Sequence, residues 1–193
     1  MNENEVYELL QTGNLTITFD TNALYGDIRF LNVCDKIDDI NNKLKYEIKI
    51  VISSLAHAEK LFHLKRKHEE KYEIDLINQV LKRKKVDIVP FEYHHAEAVA
   101  KWISTQFSTN EEWQKFKRQE CINCLGISKK NYDIPGTGRE CGARVDWLIA
   151  GYAHAENCLL ITNDKGNEFK SIEKKTTLKI LEKAVTRIKT QLG

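Results

Sequence analysis

Four acidic residues, Asp20, Glu59, Asp146 and Asp164, fall where the chain passes from one element into the next. Asp20 closes the run "LTITFD", in which Leu15, Ile17 and Phe19 alternate with Thr16 and Thr18 as in a strand. Asp164 closes "CLLITND" in the same way. Asp146 stands in the first turn of the helical stretch "ARVDWLIAGYAHAE", and Glu59 about one turn into "SSLAHAEKLF", at the edge of its apolar stripe. In an open parallel sheet the carboxyl ends of the strands form the rim where such folds bind ligands. Carboxylates gathered there repel one another and raise each other's pKa unless a cation neutralises them. A donor set made only of oxygens, with no His or Cys, suits a hard ion such as Mg²⁺ or Mn²⁺. An ion so held activates water, clamps a phosphate and stabilises the leaving oxygen of an in-line displacement. Metal-dependent hydrolysis of a phosphodiester is the chemistry expected. Each acid also has a plainer role open to it: Asp20 as a helix cap, Asp146 as a first-turn carboxylate favoured by the helix dipole, Asp164 as a turn residue before Lys165-Gly166, and Glu59 as the boundary of an amphipathic helix.

The elements that must position these acids follow from hydrophobic period. "YEIKIVIS", residues 46–53, alternates and then turns wholly apolar, as a strand buried on both faces does. A helix follows from near Ser54, and a further helical pattern, "IDLINQVLKRK", leads to a third strand at 86–91 stopped by Pro90. "HHAEAVAKWISTQF" reads as helix, and "EEWQKFKRQECINCLG" as another ended by Gly126. After a Gly-rich loop, the helix of Asp146 and the strand of Asp164 complete the pattern; "TLKIL", residues 177–181, is a candidate fifth strand, and "EKAVTRIKTQL" an amphipathic closing helix. Strands alternating with helices predict a three-layer α/β/α sandwich around a central, mainly parallel sheet of four to five strands.

With 193 residues, 41% hydrophobic and 30% charged, the chain has the composition of one globular domain, neither disordered nor membrane-embedded. Its acidic beginning, "MNENEVYELL", lacks the features of a secretory signal, and no apolar run approaches the ~18 residues of a membrane span, so a cytoplasmic address is expected. Five cysteines without regular spacing fit reduced thiols. Cys121, Cys124 and Cys141 would supply three zinc ligands, but a structural zinc site wants four in two close pairs. A net charge of +2 neither favours nor excludes a nucleic-acid partner, since a local basic groove needs no overall excess.

"FDTNAL", "SSLAHAEKL" and "ARVDWLIAGYAHAENCLLITNDKGNEF", in that order, resemble the motifs of the PIN domain, the fold of many bacterial toxin ribonucleases of the VapC type. "VDIVPFEYHHAEAVAKW" is similar to that family's third strand and following helix, and the resemblance covers roughly residues 15–107 and 140–181. It implies one nuclease domain over 1–193, with an insertion at 108–139 and an extra C-terminal helix at about 182–192. It implies that Asp20, Glu59, Asp146 and Asp164 bind Mg²⁺ or Mn²⁺, that Asn22 steadies Asp20, and that Thr162 does the same beside Asp164. It also implies endoribonuclease activity on an RNA substrate, an antitoxin partner and a homodimer.

Among the cations, Arg139, Arg144 and Lys165 flank Asp146 and Asp164 and are placed to meet substrate phosphates or to offset the acids' repulsion. "KRKK", residues 82–85, is either a phosphate grip or a solvated helix end. His57, His94 and His95 read as surface or core-edge residues, and the three tryptophans as core, with Trp113 also able to stack on an unpaired base. Two alternatives to the ribonuclease stand beside it: a PIN-like module that binds RNA or a partner with little catalysis, and a related nuclease acting on DNA.

Overall fold

The computed structural model describes residues 1–24, 28–68, 73–116 and 143–192, the side chains of residues 143, 144 and 167 excepted. The strands are β1 (Asn14–Phe19), β2 (Glu47–Ser53), β3 (Val86–Val89), β4 (Leu159–Ile161) and β5 (Lys175–Thr176). They form one sheet in the order β3-β2-β1-β4-β5, every pair parallel. Ile17 on β1 pairs with Ile50 on β2 and with Leu159 on β4, so the centre of the sheet is aliphatic.

The helices are α1 (Glu3–Gln11), α2 (Ile28–Leu44), α3 (Ser54–His68), α4 (Ile74–Arg83), α5 (Tyr93–Gln106), α6 (Ala143–Ala155), the single turn α7 (Asn167–Lys170) and α8 (Leu178–Gln191). Helices α1, α2 and α8 pack together, while α5 packs on α6, which also meets α3 and α7. From β1 the chain steps outward through β2 to β3, then returns past both to β4. With right-handed crossovers, connections before and after that return lie on opposite faces, which gives the three layers expected. The return also opens a crevice between the carboxyl ends of β1 and β4, the switch point at which open α/β sheets bind ligands.

The structure differs from the sequence expectation at both ends. The stretch "ENEVYELLQ" is helix α1, started by a capping box in which the Asn2 side chain accepts from the Glu5 N–H at 3.1 Å and the Glu5 carboxylate accepts from the Asn2 N–H at 2.7 Å. The fifth strand is Lys175–Thr176 rather than 177–181. Thr177 caps α8 instead, and its hydroxyl accepts from the Ile180 N–H, so "LKIL" is helical and the closing helix begins four residues before position 182. Of the expected insertion, residues 110–116 are helical. The helix end at Gly126 and the trio Cys121, Cys124 and Cys141 lie outside the described residues. Cys34 and Cys158 are buried free thiols, each pushed up to about 12 by burial and hence inert.

Trp113 packs with Phe107, Phe116 and Trp147, its ring centroid 5.1 Å from Phe107 and 5.8 Å from Trp147, so it extends the core. Half of "KRKK" is tied down: Lys84 pairs with Asp35 at 2.6 Å and Lys85 with Asp38 at 2.5 Å. Among the described residues no helix is long and apolar enough to cross a membrane.

Candidate active site at the carboxyl edge of the sheet

Asp20 sits one residue past β1, in the crevice between β1 and β4, and is only 2% exposed. Its N–H still donates to Ile161 O at 2.9 Å, extending the β1–β4 ladder. One carboxylate oxygen accepts from the Thr21 N–H at 2.7 Å and so caps the short 3₁₀ turn Thr21–Ala23. The other accepts from the Thr162 hydroxyl at 2.8 Å. Burial drives the Asp20 pKa up to about 6; the Thr162 and Thr21 hydrogen bonds oppose that rise, and repulsion from Glu59 and Asp164 adds to it.

The Thr162 hydroxyl also accepts from the Asp164 N–H at 3.0 Å. One side chain on the loop after β4 thereby fixes the Asp20 carboxylate and the backbone of Asp164 together. Asp164 is exposed, and its carboxylate accepts from the Gly166 N–H at 2.9 Å, the turn role the sequence left open. Asn22 does not bond Asp20; its side-chain oxygen accepts from the Asn163 N–H at 3.0 Å and links the loops after β1 and β4. Thr162 therefore holds Asp20 itself, the task expected of Asn22.

Glu59 is half-buried on α3 and accepts a short hydrogen bond from the Thr21 hydroxyl. Lys60 Nζ donates to Thr21 O at 3.4 Å, so α3 grips the turn after Asp20 at two points. Asp146 lies in the first turn of α6, half-buried, with its pKa pushed up to about 8. Burial is the largest cause, followed by the charges of Asp20, Glu168, Glu59 and Asp164. Asp146 is thus within electrostatic reach of the other three acids singled out in the sequence, and Asp20 of Glu59 and Asp164.

Glu168 is a fifth acid that the sequence reading passed over. It lies on α7, is 4% exposed, and repels Asp146 more than Glu59 or Asp164 does. A Cβ on Gly166 would stand 1.8 Å from its carboxylate, so the glycine two residues upstream leaves room for this acid. Nothing in the local sequence pattern marks Glu168 as buried. Lys165 is exposed on the same loop. Arg144 falls within the first turn of α6 but its side chain is outside the described residues, as is the whole of Arg139.

The donor set fits a hard divalent ion. Every group is a carboxylate, and two of them, Asp20 and Asp146, are held toward protonation by burial and by their neighbours, the strain a cation relieves. Among the described residues no three of these acids bring ligand oxygens within 4.8 Å of one another.

The sequence matches no family profile, and no curated protein is similar to it. Among solved structures, the chain is similar to one described as VapBC2 from Rickettsia felis bound to a DNA fragment from their promoter. The two share 19% identity over 84% of this chain and 97% of the other, at a TM-score of 0.43. A likeness at this level carries no weight for function, which is argued from the site.

Proposed function

We propose that the protein is a metal-dependent nuclease whose centre is the crevice between β1 and β4. One observation carries the reading: Asp20, buried, and Asp146, half-buried, come from distant parts of the chain to the switch point of a parallel sheet, Asp20 made costly to ionise by burial, Glu59 and Asp164, and Asp146 by burial, Asp20, Glu168, Glu59 and Asp164. A bound Mg²⁺ or Mn²⁺ would polarise the scissile phosphate and lower the pKa of the attacking water. Asp20 and Asp146 are the groups that would hold it, with Glu59, Asp164 and Glu168 taking its water ligands as hydrogen-bond acceptors. Thr162 and the Thr21 N–H fix the Asp20 carboxylate before any ligand arrives, so little reorganisation is needed on binding. Lys165 is exposed where a phosphate would approach.

RNA as the substrate, an endonucleolytic cut, an antitoxin partner and a homodimer rest on the resemblance of the three motifs to PIN-domain toxins. Digestion of single-stranded RNA and DNA side by side, with Mg²⁺, with Mn²⁺ and with EDTA, tests the reading. Cleavage of RNA that needs the divalent ion and falls at least about 100-fold in Asp20→Asn and Asp146→Asn supports it. Undiminished cleavage in either folded variant overturns it.

One observation favours the binding module instead: the carboxylates do not close into a three-ligand cage. A domain that merely docks RNA or a partner would show no rise in thermal stability with Mg²⁺ or Mn²⁺ and no degradation of RNA.

A further inference from the structure

At the far end of α6 from Asp146, a second group of ligand-type side chains converges. Glu156 follows the last residue of α6, and His94 and His95 lie in the first turn of α5. His94 Nε2 is 3.2 Å from Glu156 Oε1, and His95 Nε2 is 2.9 Å from the same oxygen. Among the described residues this is the one set of three metal-ligating groups whose donor atoms all lie within 4.8 Å of one another. It is open on one side, since His94 and Glu156 are exposed while His95 is buried. From Asp146 to Glu156 is ten residues, about 15 Å along a helix, so the two sites are separate.

We infer that His94, His95 and Glu156 form a binding site for a divalent ion of the Zn²⁺ type, stapling the start of α5 to the end of α6. Two imidazole nitrogens and one carboxylate oxygen are the ligand set such ions take, with the exposed side left for water. The surroundings suit the charge. Glu92 Oε2 lies 3.4 Å from His94 Nδ1, so this ring can give Nδ1–H to a carboxylate and keep Nε2 free to ligate, the usual outer support of a metal-bound His. Without metal, a proton on Nε2 lets the ring donate to the Glu156 oxygen; in the Nδ1–H tautomer the Nε2 lone pair faces that oxygen, and an ion bound between them takes the place of the hydrogen bond.

His95 makes the site selective. Its Nδ1 accepts from the Glu92 N–H at 2.8 Å, so without metal the ring proton sits on Nε2 and is donated to Glu156. An ion taking Nε2 moves that proton to Nδ1 and breaks the Glu92 bond. Ions that gain much from nitrogen ligands offset this loss, and Mg²⁺ does not. The sequence reads both histidines as surface or core-edge residues, and the Glu156 that meets them lies 62 residues beyond His94 and 61 beyond His95, where no local pattern shows it.

Titration of the full chain with ZnCl₂ in excess MgCl₂, followed by calorimetry and by the visible absorption of Co²⁺ in place of Zn²⁺, tests the site. The wild type should bind one Zn²⁺ that His94→Ala and Glu156→Gln bind at least about 100-fold more weakly, with Glu92→Gln about 10-fold weaker. Both His94 and Glu156 are exposed, so these variants keep the fold. Equal Zn²⁺ affinity in wild type and His94→Ala, or no Zn²⁺ bound beyond the Mg²⁺-competed acids, overturns the inference.

Discussion

Thr162 shows how much of the site depends on one hydroxyl. It donates to Asp20 and accepts from Asp164 N–H, so both of its functions are used. Thr162→Val keeps the shape and removes both bonds, leaving the buried Asp20 carboxylate short of a donor at a cost of about 1–3 kcal/mol. Urea unfolding should register that loss, and Thr162→Ser should recover most of it. In the proposed nuclease the valine variant also cleaves more slowly than the serine one. Gly166→Ala tests Glu168 from outside: the new methyl must push the Glu168 carboxylate aside. Cleavage and Mg²⁺ affinity should fall while the far-ultraviolet spectrum stays unchanged; an active Gly166→Ala would remove Glu168 from the site. At this scale, acids at strand ends and helix starts were legible because a boundary residue is fixed by its neighbours' period. Glu168 was not legible, since its burial depends on Gly166 and on packing of α7 against α6. Nor was the partner of Asn22, because which loop it ties is decided by the β1–β4 pairing and not by anything local.

Among the elements, the strands and helices that carry apolar stripes agree with their period, and the errors sit where caps compete with pattern. Thr177-Leu178-Lys179-Ile180-Leu181 alternates for too few residues to outweigh a Thr able to cap a helix, and the cap prevails. Helix α1 carried its own signature, Asn2 with Glu5 three residues on, and its Val6 and Leu10 are fully buried. The aromatic cluster of Trp102, Phe107, Trp113, Phe116 and Trp147 joins α5, α6 and the helical segment 110–116. Trp147 is its centre and lies next to Asp146, so packing of this cluster also sets where that acid stands. Trp147→Ala should cost about 3–5 kcal/mol in chemical unfolding, the range for deleting a buried large aromatic. The pairs Lys84–Asp35 and Lys85–Asp38 are solvent-exposed by comparison, and Asp35→Ala should change stability by under about 1 kcal/mol. A larger change there would mean that "KRKK" has a structural task beyond these contacts.

The whole molecule places mutually repelling acids where the strand order reverses, between β1 and β4, and the consequence is a dependence of stability on pH. Asp20 and Asp146 hold their protons more tightly folded than unfolded, with pKa values of about 6 and about 8 against an ordinary carboxylate near 4. Between pH 4 and 8 the folded state therefore binds more protons than the unfolded one, and the metal-free protein loses stability from these groups as pH rises through that window. Asp39 and Glu156, whose pKa values are lowered, act in the opposite sense but at lower pH, where stability is lost as pH falls. A divalent ion binds the ionised carboxylates and so reverses the trend. Melting temperatures recorded from pH 5 to 8 should fall with pH in EDTA, and the increment gained from MgCl₂ should grow over the same range. Asp146→Asn removes the group with the higher of the two pKa values, so its EDTA profile should be flatter than the wild type's, and its Mg²⁺ increment smaller at pH 8. Coincident profiles for wild type and Asp146→Asn would mean that the crevice does not confine these charges together, and with that the metal-dependent reading of the site would lose its physical basis.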